Sequence, residues 1–415
     1  MNSNLHSIRI DREKCVGCVA CLKACPTRAI RVREGKAIIL DDRCVDCAEC
    51  YRVCPHDAVI PLTTSFSHLE RFSYTVAVPS PAIYTQFDHE VMPNQVLLAL
   101  LKIGFDRVYD EAWMCEMVSG AINTALDIHP EPRPKISTAC PSVIRLVSLL
   151  YPELKDHIIP IESPRELAAK LIREKISKKQ NLPPEEIGII HITVCPAKMV
   201  SINHPIGLLR SHLDGAISFM DIYPRLLKAV KEVDEDVILQ QASGVGLGWA
   251  MAGGESDGLN RENCLAVSGV SDVIHILDQV MAGKMNDLEY LECLTCPAGC
   301  VGGPLNIKNK HLAKKRAQSL VKMYGEKSRV SRKMIQRLFD DRFFYMEKAI
   351  EPEPLPALDK NPAVAIEKRK RMEEIIGELG GKECGACGSP DCKTLAMDIV
   401  LGQASVEDCV FVKRQ

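Results

Sequence analysis

Two copies of one cysteine run dominate the first sixty residues: CVGCVACLKACP from Cys15 and CVDCAECYRVCP from Cys44. Each spaces its thiols C-x2-C-x2-C-x3-C and places proline after the fourth. Thiols this dense wrap the chain around a common partner and leave little room for an ordinary apolar core. Each copy ends in a short segment, Ala29-Ile30 or Ala58-Val59, that predicts the start of a strand, so residues 1–62 read as a pseudo-twofold mini-domain. The chain carries 19 cysteines in 415 residues: eight from Cys15 to Cys54, seven from Cys115 to Cys300 and four from Cys384 to Cys409. In a reducing compartment such thiols bind metal rather than pair as disulfides. The first residues contain no apolar signal-peptide core, and no apolar run approaches the ~18 residues of a membrane span, so a cytoplasmic protein with no membrane partner is expected.

The rest of the chain is ordinary globular sequence, 46% hydrophobic with a net charge of −2, which gives no electrostatic pointer to nucleic acid. From 72 to 345 apolar strand-like runs alternate with amphipathic helices, the pattern of an α/β layer fold. YTVAVP near Tyr74, PKISTAC ending at Cys140, IGIIHITVC ending at Cys195 and GAISFMDI near Ile217 predict strands. PNQVLLALLKIGF, PSVIRLVSLLYPEL, SPRELAAKLIREKISKK and PRLLKAVKEV predict helices. Cys140 and Cys195 therefore fall where a strand ends and a helix begins, the edge at which open α/β sheets bind ligands. The basic stretch 308–342 reads as solvated helical faces, residues 351–365 as a Pro-rich acidic linker, and residues 366–415 as a short helix followed by the last cysteines.

The doubled run resembles the two-cluster ferredoxins of bacteria. That resemblance implies one [4Fe-4S] cluster on Cys15, Cys18, Cys21 and Cys54 and another on Cys44, Cys47, Cys50 and Cys25, with His56 a loop residue. Near the other end, Cys384, Cys387, Cys392 and Cys409 follow C-x2-C-x4-C-x16-C. Four thiolates suit zinc as well as iron. Similarity to the single-cluster domain of corrinoid iron-sulfur proteins, carried also by Ala396, Ile399 and Gly402, implies a [4Fe-4S] cluster there. In the middle stand TACP at Cys140, VCPAK at Cys195 and CPAGCVGGP at Cys296 and Cys300. Proline suits a first helical turn, so CPSVIRLVSLL would aim a helix N-terminus at an anionic group.

These three motifs behind a ferredoxin-like domain resemble the [FeFe]-hydrogenase large-subunit family over residues 1 to about 310. The resemblance implies an α/β hydrogenase catalytic domain, an α+β two-cluster domain before it and a small helical Fe-S domain after it. It implies that Cys140, Cys195, Cys296 and Cys300 hold a [4Fe-4S] cubane, the fourth such cluster of the chain. Cys300 would bridge it to a two-iron unit carrying CO, cyanide and an amine-bearing dithiolate. Lys198 would donate to a cyanide, and Gly299, Gly302 and Gly303 would leave the cofactor room. The Gly-rich stretch from Ala242 to Asn260 would enclose it; no phosphate-loop lysine follows these glycines. Substrates would be H2 and protons, and the electron partner a ferredoxin or other redox protein.

Several positions depart from the family's efficient members. Ala139 stands where they carry a proton-donating cysteine, and Thr193, Leu294 and Ser201 replace two methionines and a glutamate. Glu116 is the nearby candidate for the carboxylate route, beside its plainer reading as a helix-surface acid. Loss of a positioned acid costs ~10²- to 10⁴-fold in rate. A slow enzyme of the sensory, PAS-free type is expected, with a signalling partner. Two alternatives stay open: an electron-transfer or cluster-assembly protein that lacks the two-iron unit, and an efficient hydrogenase with another proton route. Cys115, Cys264 and Cys293 read as buried inert thiols, with Cys115 and Cys293 alternatively beside the pocket in proton transfer.

Overall fold

Every residue of the apolar run Ile187–Thr193 is buried, as in a parallel strand covered on both faces. In the computed structural model, which describes residues 6–234 and 236–412, this strand is central to a four-stranded parallel sheet. The order is Arg107–Val108, Tyr74–Pro79, Ile187–Thr193, Gly215–Ser218. Alternate residues feed two cores. Ala77, Ile190, Ile192 and Ile217 face one that includes Val96, Leu97 and Leu100 of helix Pro93–Lys102. Val76, Val78, Ile187 and Ile189 face one built with helices Glu111–Ile128 and Pro164–Gln180. A second parallel sheet orders Cys264–Ser268, Tyr290–Leu294 and Lys135–Ile136.

The expected strand ending at Cys140 is reduced to Lys135–Ile136, because the chain leaves the sheet there. GAISFMDI divides: Gly215–Ser218 is strand, and the helix begins at Phe219 and runs through Pro224 to Ala229. Phe219, Ile222, Leu226 and Ala229 form the buried stripe that draws the segment into helix. The basic stretch forms helices Lys310–Tyr324 and Arg332–Asp340.

The chain divides into two units, residues 63–352 and a smaller unit made jointly by residues 1–62 and 353–415. In the smaller unit Ile8–Ile10 pairs antiparallel with Val59–Pro61, and Ile30–Arg33 with Lys36–Ile39. Each cysteine run turns into a one-turn helix, Ala20–Ala24 or Glu49–Val53, entered through a left-handed residue, Val19 or Ala48, both at φ 61°. That repeat of conformation is the pseudo-twofold symmetry in the backbone. The helix Pro362–Glu378 starts within the acidic stretch, where the Asn361 side chain accepts from Ala363 N. Helix Cys392–Val400 follows. Among the described residues no helix is long and apolar enough to cross a membrane.

Candidate functional site

Three cysteines of the larger unit lie just beyond the carboxyl ends of parallel strands. Cys140 follows Lys135–Ile136, Cys195 follows Ile187–Thr193, and Cys296 follows Tyr290–Leu294. Cys140 is also the N-cap of helix Pro141–Leu150, with Pro141 in the first turn. The Thr193 hydroxyl donates to Cys195 O at 3.1 Å and accepts from Cys195 N at 3.0 Å, which fixes the turn carrying that thiol. The Thr295 hydroxyl, next to Cys296, is 3.6 Å from Cys140 Sγ. Burial pushes the Cys300 thiol up to about 12, against the lowering effect of Lys198, and the nearby Cys195 and Cys140 add to the rise. Burial, then Cys140, raises Cys195. Such thiols become thiolates only when a cation balances them, which is the demand a metal cluster meets.

Lys198 is 5% exposed, on the short helix Ala197–Asn203. Burial acts to lower its pKa, but Glu111, Cys300 and Cys195 outweigh it, so the amine stays charged. Its ammonium makes no hydrogen bond to another described residue. Nearby, buried His191 donates from Nδ1 to Val78 O at 2.9 Å and is held neutral by burial and by the charges of Lys198 and Arg165. Glu111 Oε2, His191 Nε2 and Arg165 Nε have no hydrogen-bond partner among the described residues. A charged amine and unpaired polar atoms near the thiols of Cys195 and Cys300 suit a polar, anionic group bound there. Ser201 serves the chain itself, donating to Lys198 O at 2.8 Å and accepting from Arg165 Nη2 at 3.2 Å.

Ala139 cannot carry a proton, but its amide donates to Ser137 Oγ at 3.1 Å, and Ser137 Oγ donates to Glu255 Oε2 at 2.7 Å. Tyr290 donates to Glu255 Oε1 at 2.6 Å. Glu255 is buried, and burial followed by the neighbouring Glu292 charge lifts its pKa far above the carboxylate range. Glu292 accepts from Gly253 N and Ser256 N, each at 2.9 Å. Cys115 lies within electrostatic reach of Glu111, Lys198 and Glu255, and Cys293 within reach of Cys140, Glu292 and Glu255. Both therefore border this region, and burial keeps both protonated. Cys264 is a half-buried strand residue.

One expectation is corrected. Glu116 is neither a surface acid nor part of this network; it is buried and accepts from Ser243 N at 2.9 Å and from Arg329 N, tying two loops to its helix. The glycines also have a steric reason within the chain itself. A Cβ on Gly299 would meet the Ala252 amide, one on Gly302 the Pro297 carbonyl, and one on Gly303 the Val194 carbonyl at 2.6 Å. They are bare because the chain packs on itself. The Gly-rich stretch follows the same rule: it forms helix Gly244–Gly248, where a Cβ on Gly246 would meet the Ala112 carbonyl.

The smaller unit holds three hollows of similar size. Cys15, Cys18, Cys21 and Cys54 line one of about 350 Å³, with His56 at its edge. Cys25, Cys44, Cys47 and Cys50 line one of about 340 Å³. Cys384, Cys387, Cys392 and Cys409 line one of about 310 Å³. Amides point at the sulfurs: Ala29 N to Cys25 Sγ at 3.1 Å, Ala58 N to Cys54 Sγ at 3.3 Å and Ala37 N to Cys15 Sγ at 3.3 Å. Burial raises Cys44, Cys47 and Cys50, and lifts Cys21 to about 11. At Cys409 burial is outweighed by the amides of Phe411, Gly380 and Val412, and its pKa falls. These donor sets fit [4Fe-4S] clusters, whose anionic sulfurs accept such hydrogen bonds.

A family model described as the iron-only hydrogenase large subunit, C-terminal domain, matches residues 73–262 and 227–304. A 4Fe-4S dicluster domain matches 8–62, and an Fe-S cluster family matches 379–411. The periplasmic [Fe] hydrogenase large subunit of Nitratidesulfovibrio vulgaris is 25% identical over 72% of this chain and 86% of its own. Iron hydrogenase 1 of Clostridium pasteurianum is 22% identical over 74% of this chain and 66% of its own. Among solved structures, a variant of [FeFe]-hydrogenase HydA1 from Chlamydomonas reinhardtii superposes with a TM-score of 0.54 at 16% identity, covering 68% of this chain and 95% of that one. An apo variant of the same protein gives 0.53 at 15%, over 68% and 95%; at such identity the likeness speaks for the fold alone. With the first family model spanning more than half its length, and with strand-end cysteines gathered beside a buried lysine, the chain belongs to the iron-only hydrogenase large-subunit family.

Proposed function

We propose that this chain is a slow, sensory-type hydrogenase that interconverts H2 with protons and electrons in the cytoplasm. The observation that carries the reading is Lys198: a buried, charged lysine beside Cys300 and Cys195 whose ammonium bonds to no other described residue. A plain four-thiolate site needs no such cation; a site that also receives a cyanide-bearing two-iron unit does. Cys140, Cys195, Cys296 and Cys300 would hold the H-cluster, with the three hollows of the smaller unit taking the accessory [4Fe-4S] clusters. When bound, these groups supply the H2 and electron chemistry.

The protein then does three things. Lys198 orients the anionic cofactor, kept charged by Glu111. Thr193 and the helix beginning at Pro141 hold two of the thiols in place. The Glu255–Glu292 pair keeps a proton in the interior, and Ser137 carries the hydrogen-bond chain from Glu255 to the Ala139 amide, where it ends on a backbone group. A proton store without a thiol at residue 139 gives low turnover, as a sensor tolerates and a bulk catalyst does not. Signal output would pass to a redox or signalling partner.

Maturation of the purified chain with a synthetic two-iron precursor tests the proposal. Infrared spectra should show CO and cyanide bands, the cyanide bands should shift or disappear in Lys198→Met, and H2 turnover should be low. Absence of the bands from the wild-type protein would replace this reading with that of an electron-transfer or assembly scaffold. High turnover would replace it with that of an efficient hydrogenase.

A further inference from the structure

The two ends of the chain meet in the smaller unit around a buried carboxylate that ligates nothing. Asp398, on helix Cys392–Val400, accepts from Arg31 Nε at 2.6 Å and Arg31 Nη2 at 2.9 Å. It also accepts from Arg33 Nη2 at 2.8 Å and from Ser389 Oγ at 2.7 Å. Arg31 and Asp398 are almost wholly buried, at 2% and 1% exposure. A two-pronged guanidinium–carboxylate pair fixes orientation as well as distance, and in a dry setting Arg31 without Asp398 would be an uncompensated charge.

The backbone completes the joint. Val32 N donates to Gly388 O at 2.8 Å, and Lys23 Nζ donates to Pro390 O at 2.9 Å. Arg28 pairs with Asp391 at 2.7 Å. Gly388 has φ +78°, and a Cβ there would strike the Val32 carbonyl, so glycine alone permits the approach. The elements joined are the walls of two thiol hollows. Val32 and Cys21 line the hollow of the Cys15 quartet, while Gly385 and Cys387 line that of the Cys384 quartet. Gly388, which bonds Val32, follows Cys387; Leu22, whose Cδ2 lies 3.2 Å from where a Gly385 Cβ would stand, follows Cys21. The walls of the two hollows are therefore in direct contact.

We propose that the Arg31–Asp398 clamp, with Arg33, is a positioning device that fixes the C-terminal quartet against the Cys15 quartet as one rigid pair of cluster sites. The pair would form a port at which one electron passes between the C-terminal cluster and the ferredoxin-like half, one cluster oxidised and the other reduced. This rests on both quartets holding [4Fe-4S] clusters.

Electron paramagnetic resonance on the reduced full chain tests it, with Cys387→Ser/Cys392→Ser defining which spin–spin interaction belongs to the C-terminal cluster. Asp398→Asn, which keeps the shape and loses the charge, should weaken that interaction at unchanged iron content, and Asp398→Ala should abolish it. Retention of the full interaction in both Asp398 variants and in Arg31→Ala would overturn the proposal. An unchanged iron content in the double cysteine variant would instead overturn the cluster assignment, and the port with it. Independently of iron, cleavage in the 351–361 segment should leave the C-terminal piece bound to the wild-type protein and release it from Asp398→Ala. Release from the wild type would refute the clamp itself.

Discussion

Buried carboxylates lie beside the region that the cysteine motifs mark. Glu255 is the acid nearest in hydrogen bonding to residue 139, so Glu255→Gln should lower H2 turnover by ~10²-fold while leaving iron content and the infrared bands of the bound unit unchanged. Loss of the bands as well would make Glu255 a packing residue. Glu162 offers a cleaner titration. Burial, then the Glu166 charge, raises it to about 7. Its protonated form is favoured in the fold, so its contribution is complete below the unfolded value near pH 4.5 and is lost as pH rises through about 7. Glu162→Gln removes that dependence. Denaturant titrations should therefore show the variant gaining on the wild type between pH 5 and 8, by an amount on the order of 3 kcal/mol in full; parallel pH profiles would contradict it. At this scale the cysteines were legible because ligand spacing is written along the chain. Glu255 and Glu292 were not, because their partnership is made by folding. A trace did exist: Glu292 interrupts an otherwise apolar strand, Tyr290–Leu294, and a charge is seldom buried without a partner or a task.

Elements covered on both faces by apolar residues were the readable ones. Tyr74–Pro79 and Ile187–Thr193 appear in the sequence as continuous apolar runs and in the fold as central strands. Two strands of the second sheet were missed because Cys264–Ser268 is only partly buried and its neighbour contains Glu292. Arg107–Val108 is too short to carry a period and exists only by pairing with Val76 and Ala77. Helix Glu111–Ile128 escaped for the opposite reason. Ala112, Met114, Cys115, Glu116, Met117 and Val118 are all buried, so no polar face marks its period. Close packing on that helix accounts for Gly246. Gly246→Ala would drive a methyl into the Ala112 carbonyl, backbone against backbone. Overpacking of this kind costs about 1–3 kcal/mol, so thermal unfolding should fall by several degrees, whereas Gly325→Ala, with open space beside it, strains only its own left-handed backbone. Equal losses at the two positions would show that the helix contact is not the constraint.

On the scale of the whole molecule, the metal-binding tasks follow the division of the chain. Both large cores draw only on residues 66–345, and the thiols proposed for the H-cluster, with Lys198 and Glu255, lie in the same unit. The smaller unit owns the other three quartets and is closed by its own buried ion pair. Residues 63–352 produced alone should therefore unfold cooperatively and, after addition of the two-iron precursor, give CO and cyanide bands at the positions seen in the full chain. Reduction by an external one-electron donor should be slower than in the full chain, because the accessory thiol sites are gone. Infrared spectroscopy and stopped-flow reduction of the two proteins side by side check both halves of this expectation. Bands present in the full chain and missing from a folded fragment would mean that the smaller unit helps build the catalytic pocket, while equal reduction rates would remove the accessory sites from the electron path.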